Sequence, residues 1–281
     1  MIDMQHDPVN SGDSGTRPSD RPLSGRVGLV TGGSRGIGLA CAMELGRLGM
    51  NVVISATRQE TVDRGLAALR ESGVRRADGH VADVCDQRQI DALFDAITST
   101  HGRCDVLVNN AGIGGMTLIE DTSSELWQRF IDTNLNGPFR VTQAWMLRSG
   151  APERRWGRII NMASTAGKQA APLGLAYSAS KHGLVGMTRT LAADLRGSGI
   201  TVNAVCPGLV DTDLSSDVID QLAKAKSMTR EQALEMRNRL MPIGRHLRSD
   251  EVARMVGFLA VPEAEGITGQ AFNVCGGMGV Y

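Results

Sequence analysis

The stretch Thr31-Gly-Gly-Ser-Arg-Gly-Ile-Gly38 decides the fold. Before it, Val27-Gly-Leu-Val-Thr31 reads as a short buried strand. After it, Ile37 to Leu48 carries apolar residues at helical spacing. A glycine-rich turn from strand to helix lets the backbone bend tightly and approach a ligand closely. The helix start then presents free N–H groups and a positive dipole end to an anion. Gly32, Gly36 and Gly38 are spaced G-x3-G-x-G, which differs from the G-x-G-x-x-G dinucleotide fingerprint. Ser34, Arg35 and Ile37 fill the turn. Alone, such a turn is also compatible with no ligand at all.

Working outward, the alternation continues. Strands are expected at Asn51–Ser55, His80–Asp83, Asp105–Asn109, Gly157–Met162, Ile200–Val205 and Ala271–Val274. Helices are expected at Gln59–Glu71, Gln87–Thr100, Ser124–Leu147, Ala176–Arg196, Asp250–Leu259 and a polar stretch near Asp217–Leu240. Most of the strands are apolar on both faces, as in a parallel sheet covered by helices on each side. The expectation is a single α/β, doubly wound domain over 23–281 with a seven-stranded parallel sheet. Ligands of such sheets bind at the carboxyl ends of the strands, where the strand order reverses.

The second strand ends in Ser55-Ala-Thr57-Arg58. A domain reading NAD usually carries an acid there for the ribose hydroxyls. Thr57 and Arg58 replace it, and Arg35 adds a second cation. A 2′-phosphate, and so NADPH, is favoured.

Arginine outnumbers lysine 26 to 4, so each lysine draws attention. Lys181 lies four residues after Tyr177 in Tyr-Ser-Ala-Ser-Lys, and four-residue spacing places both on one helix face. A phenol near pH 10 is a poor proton donor at neutral pH. A neighbouring ammonium lowers that pKa and brings the phenol nearer to useful acid–base work. Ser164 follows the strand ending at Met162 and is placed to hydrogen-bond a substrate oxygen. These groups suit protonation of a carbonyl oxygen as hydride reaches its carbon.

Composition closes other routes. The formal net charge is zero, which gives no electrostatic footprint for nucleic acid. The five cysteines lack C-x-x-C spacing, so neither a disulfide framework nor a metal site is expected. No run approaches the roughly 20 apolar residues of a membrane span. Residues 1–22 are polar, without the apolar segment of a secretory signal, and are expected to be a disordered tail on a cytoplasmic protein.

In series, these motifs resemble the short-chain dehydrogenase/reductases, and the resemblance covers Leu23 to Tyr281. Thr31 to Gly38, Asp83, Asn109-Asn-Ala-Gly112, Asn134, Ser164, Tyr177-x-x-x-Lys181 and Pro207-Gly208 occur in that family's order. The resemblance implies a Rossmann fold and a catalytic set of Asn134, Ser164, Tyr177 and Lys181. In it Tyr177 is the acid, Lys181 binds the nicotinamide ribose and Asn134 holds a relay water. It further implies that Asp83, Val84, Asn110, Ala111 and Gly112 lie along the adenosine half of the cofactor. Pro207, Gly208, Val210 and Thr212 would flank its nicotinamide end. Residues of about 211–245 would form a mobile lid, with Met228, Met236 and Met241 as an adaptable apolar wall.

Ser164-Thr-Ala-Gly-Lys-Gln169, Pro242-Ile-Gly-Arg245 and the terminal Asn273-Val-Cys-Gly-Gly-Met-Gly-Val-Tyr281 are similar to the ketoreductases of aromatic polyketide biosynthesis. That narrower resemblance implies a bacterial, NADPH-dependent homotetramer. Its substrate would be a polyketide ketone on an acyl carrier protein, or a released polycyclic ketone. Those enzymes often follow Asn-Asn-Ala-Gly with Arg-Pro-Gly-Gly, the arginine being implicated in carrier docking. Ile113-Gly-Gly-Met116 stands there instead, which favours a released substrate. Fatty-acid-type 3-oxoacyl reductases share most of the motifs and form the alternative. A dinucleotide sensor without catalysis is disfavoured by the intact Asn, Ser, Tyr and Lys.

Overall fold

A computed structural model describes residues 21–279. The tail expected over 1–22 lies, but for Arg21 and Pro22, outside the described residues.

In chain order the elements are β1 (Val27–Thr31), α1 (Gly36–Arg47), β2 (Asn51–Ala56), α2 (Gln59–Glu71), β3 (Ala77–Val81), α3 (Gln87–His101) and β4 (Val106–Asn109). Then come α4 (Ser124–Ile131), a π-helical turn (Asp132–Asn136), α5 (Gly137–Arg148), α6 (Ala151–Arg154) and β5 (Gly157–Met162). The chain continues through α7 (Leu175–Asp194), β6 (Ile200–Pro207), α8 (Asp213–Ala225), α9 (Arg230–Asn238), α10 (Ser249–Ala260) and β7 (Ala271–Val274).

The seven strands pair in the order β3-β2-β1-β4-β5-β6-β7, all parallel. Side chains alternate across the pleat, so one strand feeds both cores. Val52 and Ile54 face the core shared with α1, α2 and α10, whereas Val53 faces the core of α3, α5 and Trp145. Because both faces are apolar, the sheet is stable only between two helical layers. The order reverses between β1 and β4, and the loops leaving these two strands open a crevice there.

Three elements differ from the sequence reading. The helix expected over Ser124–Leu147 is interrupted by the π turn that contains Asn134. The third strand starts three residues earlier than expected and ends two residues earlier. Asp83 instead lies in a turn, its N–H donating to Gln89 and its carboxylate accepting from the Cys85 N–H. The polar stretch before β7 is two helices, parted at Ser227, whose φ is 49°. Thr229 starts α9 with a capping box, its hydroxyl accepting from the Gln232 N–H while the Gln232 amide returns to the Thr229 N–H.

Candidate active site

The glycine loop is closed by its neighbour across the crevice. The Asn110 side-chain amide donates to the carbonyls of Thr31 and Gly32, at 2.9 and 3.1 Å. Thr31 Oγ1 accepts from the N–H groups of Asn110 and Ala111. The loops after β1 and β4 therefore form one unit. Gly38 permits this: a Cβ there would collide with the Gly32 oxygen and with Asn110 Nδ2. Gly32 and Gly36 hold left-handed φ values of 62° and 52°. Helix α1 starts without a side-chain cap, since Arg35 at its N-cap makes none. Its first N–H groups remain donors for a ligand on the loop.

The other candidate cofactor residues gather around this unit. Ser34 and Ile37 are half-buried in the turn, and Thr57 and Arg58 are exposed at the end of β2. Arg35 pairs with Asp213 at 2.8 Å, fastening the first turn of α8 to the glycine loop. Thr212 caps α8 through Ser215 N, and its methyl lies 3.4 Å from where a Cβ of Gly36 would stand. Pro207 ends β6, and the Gly208 N–H donates to the Val274 carbonyl. Val210 is buried and bridges to Leu247. The Val84 side chain is buried in the α3–α5 core, so only its backbone is left to face a ligand.

Around the ends of β4 and β5 the four candidate catalytic residues come together. Ser164 leaves β5 and starts a 3₁₀ turn, its hydroxyl accepting from the Ala166 N–H. That turn presses on α7: a Cβ at Gly167 would lie 2.7 Å from the Lys181 carbonyl. Tyr177 and Lys181 share one face of α7, with Nζ 5.8 Å from the Tyr177 ring centre. Lys181 Nζ donates to the Met162 carbonyl at 2.8 Å. Asn134 is fully buried. Its Oδ1 accepts from the Ile113 N–H, and its Nδ2 donates to the Ile113 carbonyl and to Ser180 Oγ. The π turn thus ties the loop after β4 to α7, one residue before Lys181.

Electrostatics differ from the expected picture in one respect. Burial pushes the Tyr177 phenol above its ordinary value, opposed by a hydrogen bond with Ser164. Burial also pushes the Lys181 ammonium down to about 8. Burial and the nearby Cys206 raise the phenol, and the hydrogen bond with Ser164 is what opposes them.

Two further residues support the site without having been singled out in the sequence. Ser180 donates to the Tyr177 carbonyl and accepts from Asn134. Its position inside Tyr-Ser-Ala-Ser-Lys, three after Tyr177, was the available signal. Phe130 sets its ring edge-on to Tyr177, 6.4 Å between centres. It lies one turn before Asn134, yet α4 and α7 are distant in sequence.

Helices α8 and α9 pack over the loop that follows Gly112. Met116 packs with Ile219, Leu222, Ala233, Met228 and Met236, and a Cβ at Gly114 would lie 3.1 Å from Leu214. Met241 does not join this wall. It is buried in the core with Val210 and Leu247, because the chain after α9 has already turned back toward β7.

Comparison with known proteins fits this geometry. A family model described as short chain dehydrogenase matches residues 26–223. A protein named as a ketoacyl reductase of the monensin polyketide synthase, from Streptomyces virginiae, is 47% identical over 256 residues, covering 91% of this chain and 98% of that protein. The 3-oxoacyl-[acyl-carrier-protein] reductase of Pseudomonas aeruginosa is 40% identical over 259 residues, covering 91% and 98%. Among solved structures, a single-residue variant of the actinorhodin polyketide ketoreductase with NADPH superposes with a TM-score of 0.89 at 44% identity, over 92% of this chain and all of that one. The likeness thus runs along nearly the whole chain, which belongs to the short chain dehydrogenase family.

Proposed function

We propose that the chain is an NADPH-dependent ketoreductase that reduces one ketone of a polyketide, carrier-bound or released as a polycycle, to a secondary alcohol. The observation that carries this reading is the meeting of Ser164, Tyr177 and Lys181 beside the glycine loop at the sheet's switch point. The similarity to polyketide ketoreductases, one of them solved with NADPH, supports it.

The residues present fit the cofactor. The cradle around Gly38 is too close for any side chain, and the uncapped start of α1 offers N–H donors to a pyrophosphate. Thr57 and Arg58 stand where an NAD-selective domain would carry an acid. Bound there, NADPH supplies the hydride. Tyr177 gives its proton to the ketone oxygen, and the Ser164 hydroxyl holds that oxygen against the phenol. Lys181 presents a cation beneath the Tyr177 ring, which stabilises the phenolate left behind. Asn134 keeps the Ile113 loop and α7 at fixed separation. The methionine-rich lid over Met116 forms an apolar wall for a fused-ring substrate. Exposed Phe139 and Leu147 on α5 support burial of this helix in a homotetramer.

Substrate preference tests the reading. Bicyclic decalone and an acetoacetyl thioester are offered side by side, and NADPH absorbance is followed. Preference for decalone is expected. Preference for the thioester would move the chain to the fatty-acid-type reductases.

Two substitutions test the cofactor assignment. Gly38→Ala forces apart the loop and Asn110; overpacking of this kind costs about 1–3 kcal/mol. NADPH affinity measured by fluorescence titration is expected to fall about tenfold or more. Arg58 makes no ion pair among the described residues, so its charge is available to a 2′-phosphate. Loss of one charge-assisted hydrogen bond, about 1.5–3 kcal/mol, predicts that Arg58→Ala cuts the NADPH over NADH preference about tenfold or more. An unchanged ratio of kcat/KM values would remove Arg58 from the assignment.

A further inference from the structure

Helix α4 is exposed along most of its length, and Phe130 is its one buried residue. We propose that Phe130 is a positioning residue for the reduction, whose ring sets the pose of the Tyr177 phenol and the place of the Gly115 backbone. This inference rests on the reductase reading and adds to it a residue that acts through the acid.

Phe130 is 4% exposed. A buried phenylalanine ordinarily fills a core, but Phe130 belongs to neither core of the sheet. Its ring instead meets Tyr177 edge-on, with 6.4 Å between centres and 76° between planes. Aromatic pairs favour this arrangement, and it holds one ring at a fixed angle to the other. The contact matters because the second side-chain torsion of a tyrosine has broad wells, so packing must fix the plane of the ring. Ser164 bonds the phenol and Lys181 Nζ lies 5.8 Å from the ring centre. These two act on the oxygen and its charge, whereas Phe130 acts on the ring.

The second contact reaches the loop that follows Gly112. Phe130 Cζ stands 3.4 Å from where a Cβ of Gly115 would be. The residues on either side of Gly115 are held by the lid helices: Gly114 lies against Leu214 of α8, and Met116 packs with residues of α8 and α9. Phe130 therefore supports the loop between two points that the lid holds. A smaller side chain at position 130 would free the phenol and the loop together and admit water to both. Proton transfer needs the acid within hydrogen-bond reach of the ketone oxygen, so a small displacement is costly.

Phe130→Leu and Phe130→Ala are compared with Phe94→Leu, which opens the fully buried core between the sheet and α3 instead. With NADPH and decalone, kcat of Phe130→Leu is expected to fall about tenfold to a hundredfold, as for a misplaced reacting group. KM should stay within a factor of about two, the mark of an interaction realised in the transition state. Phe94→Leu should lower Tm and leave both constants in place.

A second readout needs no turnover. Tyr177 and Tyr281 are the two tyrosines of the chain, so in Tyr281→Phe the phenolate absorbance follows Tyr177 alone. Burial holds that phenol above its ordinary value. Its titratable neighbours, Lys181 and Cys206, are the same in every variant. Adding Phe130→Leu or Phe130→Ala admits water, so the midpoint is expected to move down, read where circular dichroism shows the fold intact. Adding Phe94→Leu should leave it in place. Should Phe130→Ala fail to fold, Phe130→Leu decides. Unchanged kcat in the Phe130 variants, a rise in KM alone, or an unmoved midpoint would overturn the proposal. Failure of the unaltered protein to reduce either ketone would overturn the reductase reading instead, and the midpoint would still decide whether Phe130 governs Tyr177.

Discussion

Tyr177→Phe is expected to lower kcat about 10²- to 10⁴-fold, the range for removal of a positioned general acid. NADPH affinity should stay within a factor of about two, since only the phenolic oxygen is lost. The ring keeps its edge contact with Phe130, so the helix face is undisturbed. Burial holds the phenol above its ordinary value, and hydrogen bonding with Ser164 opposes that. The proton is therefore retained through neutral pH and given up only when an oxygen accepts it. Single-turnover NADPH oxidation and fluorescence titration separate the two effects. Full turnover in Tyr177→Phe would remove this residue from the reaction; loss of NADPH binding would make its role structural.

Lys181→Met is expected to abolish most turnover while raising stability. Burial takes the ammonium from 10.5 down to about 8, which corresponds to about 3 kcal/mol against the charged form. Its hydrogen bond to the Met162 carbonyl would be lost on substitution, at a cost of about 1–3 kcal/mol. The balance is a gain of about 1 kcal/mol at neutral pH, seen as a Tm about 2–4 °C higher for a domain of this size. The pH dependence has a definite sign. Because the folded-state pKa is depressed, the unfolded chain binds more protons between about 8 and 10.5. The destabilisation is thus fully present below pH 8 and fades as pH rises toward 10.5. The advantage of Lys181→Met over the unaltered protein should fall over that window and reverse near its top, where only the lost hydrogen bond to Met162 remains. A variant less stable than the unaltered protein at about pH 7, or an advantage that stays the same up to about pH 10, would contradict the burial argument.

The parts legible in the sequence were those with a local cause. A glycine loop between an apolar strand and a periodic helix announces its own geometry, and β1 and α1 fell within a residue of their expected places. The four-residue spacing of Tyr177 and Lys181 likewise depends only on helical pitch. The π turn did not announce itself. It is held by hydrogen bonds from Asn134 to Ile113 and Ser180, 21 and 46 residues away, while the apolar period runs through it unbroken. The edge strand β3 carries Ala-Asp-Gly-His-Val, half-exposed, and so lacks the apolar run that marked its neighbours. The break between α8 and α9 did leave a signal, the capping box Thr229-x-x-Gln232. Burial of Tyr177, which raises its phenol, was not legible either: spacing reveals a neighbouring charge but not desolvation.

The proposed reaction passes a hydride to a ketone carbon on this fold. The most direct measurement supplies the purified protein with NADPH deuterated at the transferable position and with decalone, then reads the alcohol by mass spectrometry and NMR. One deuterium on the carbinol carbon, absent with Tyr177→Phe over the same time, is the predicted result. Alcohol without deuterium, or no alcohol from decalone or from the acetoacetyl thioester, would contradict it.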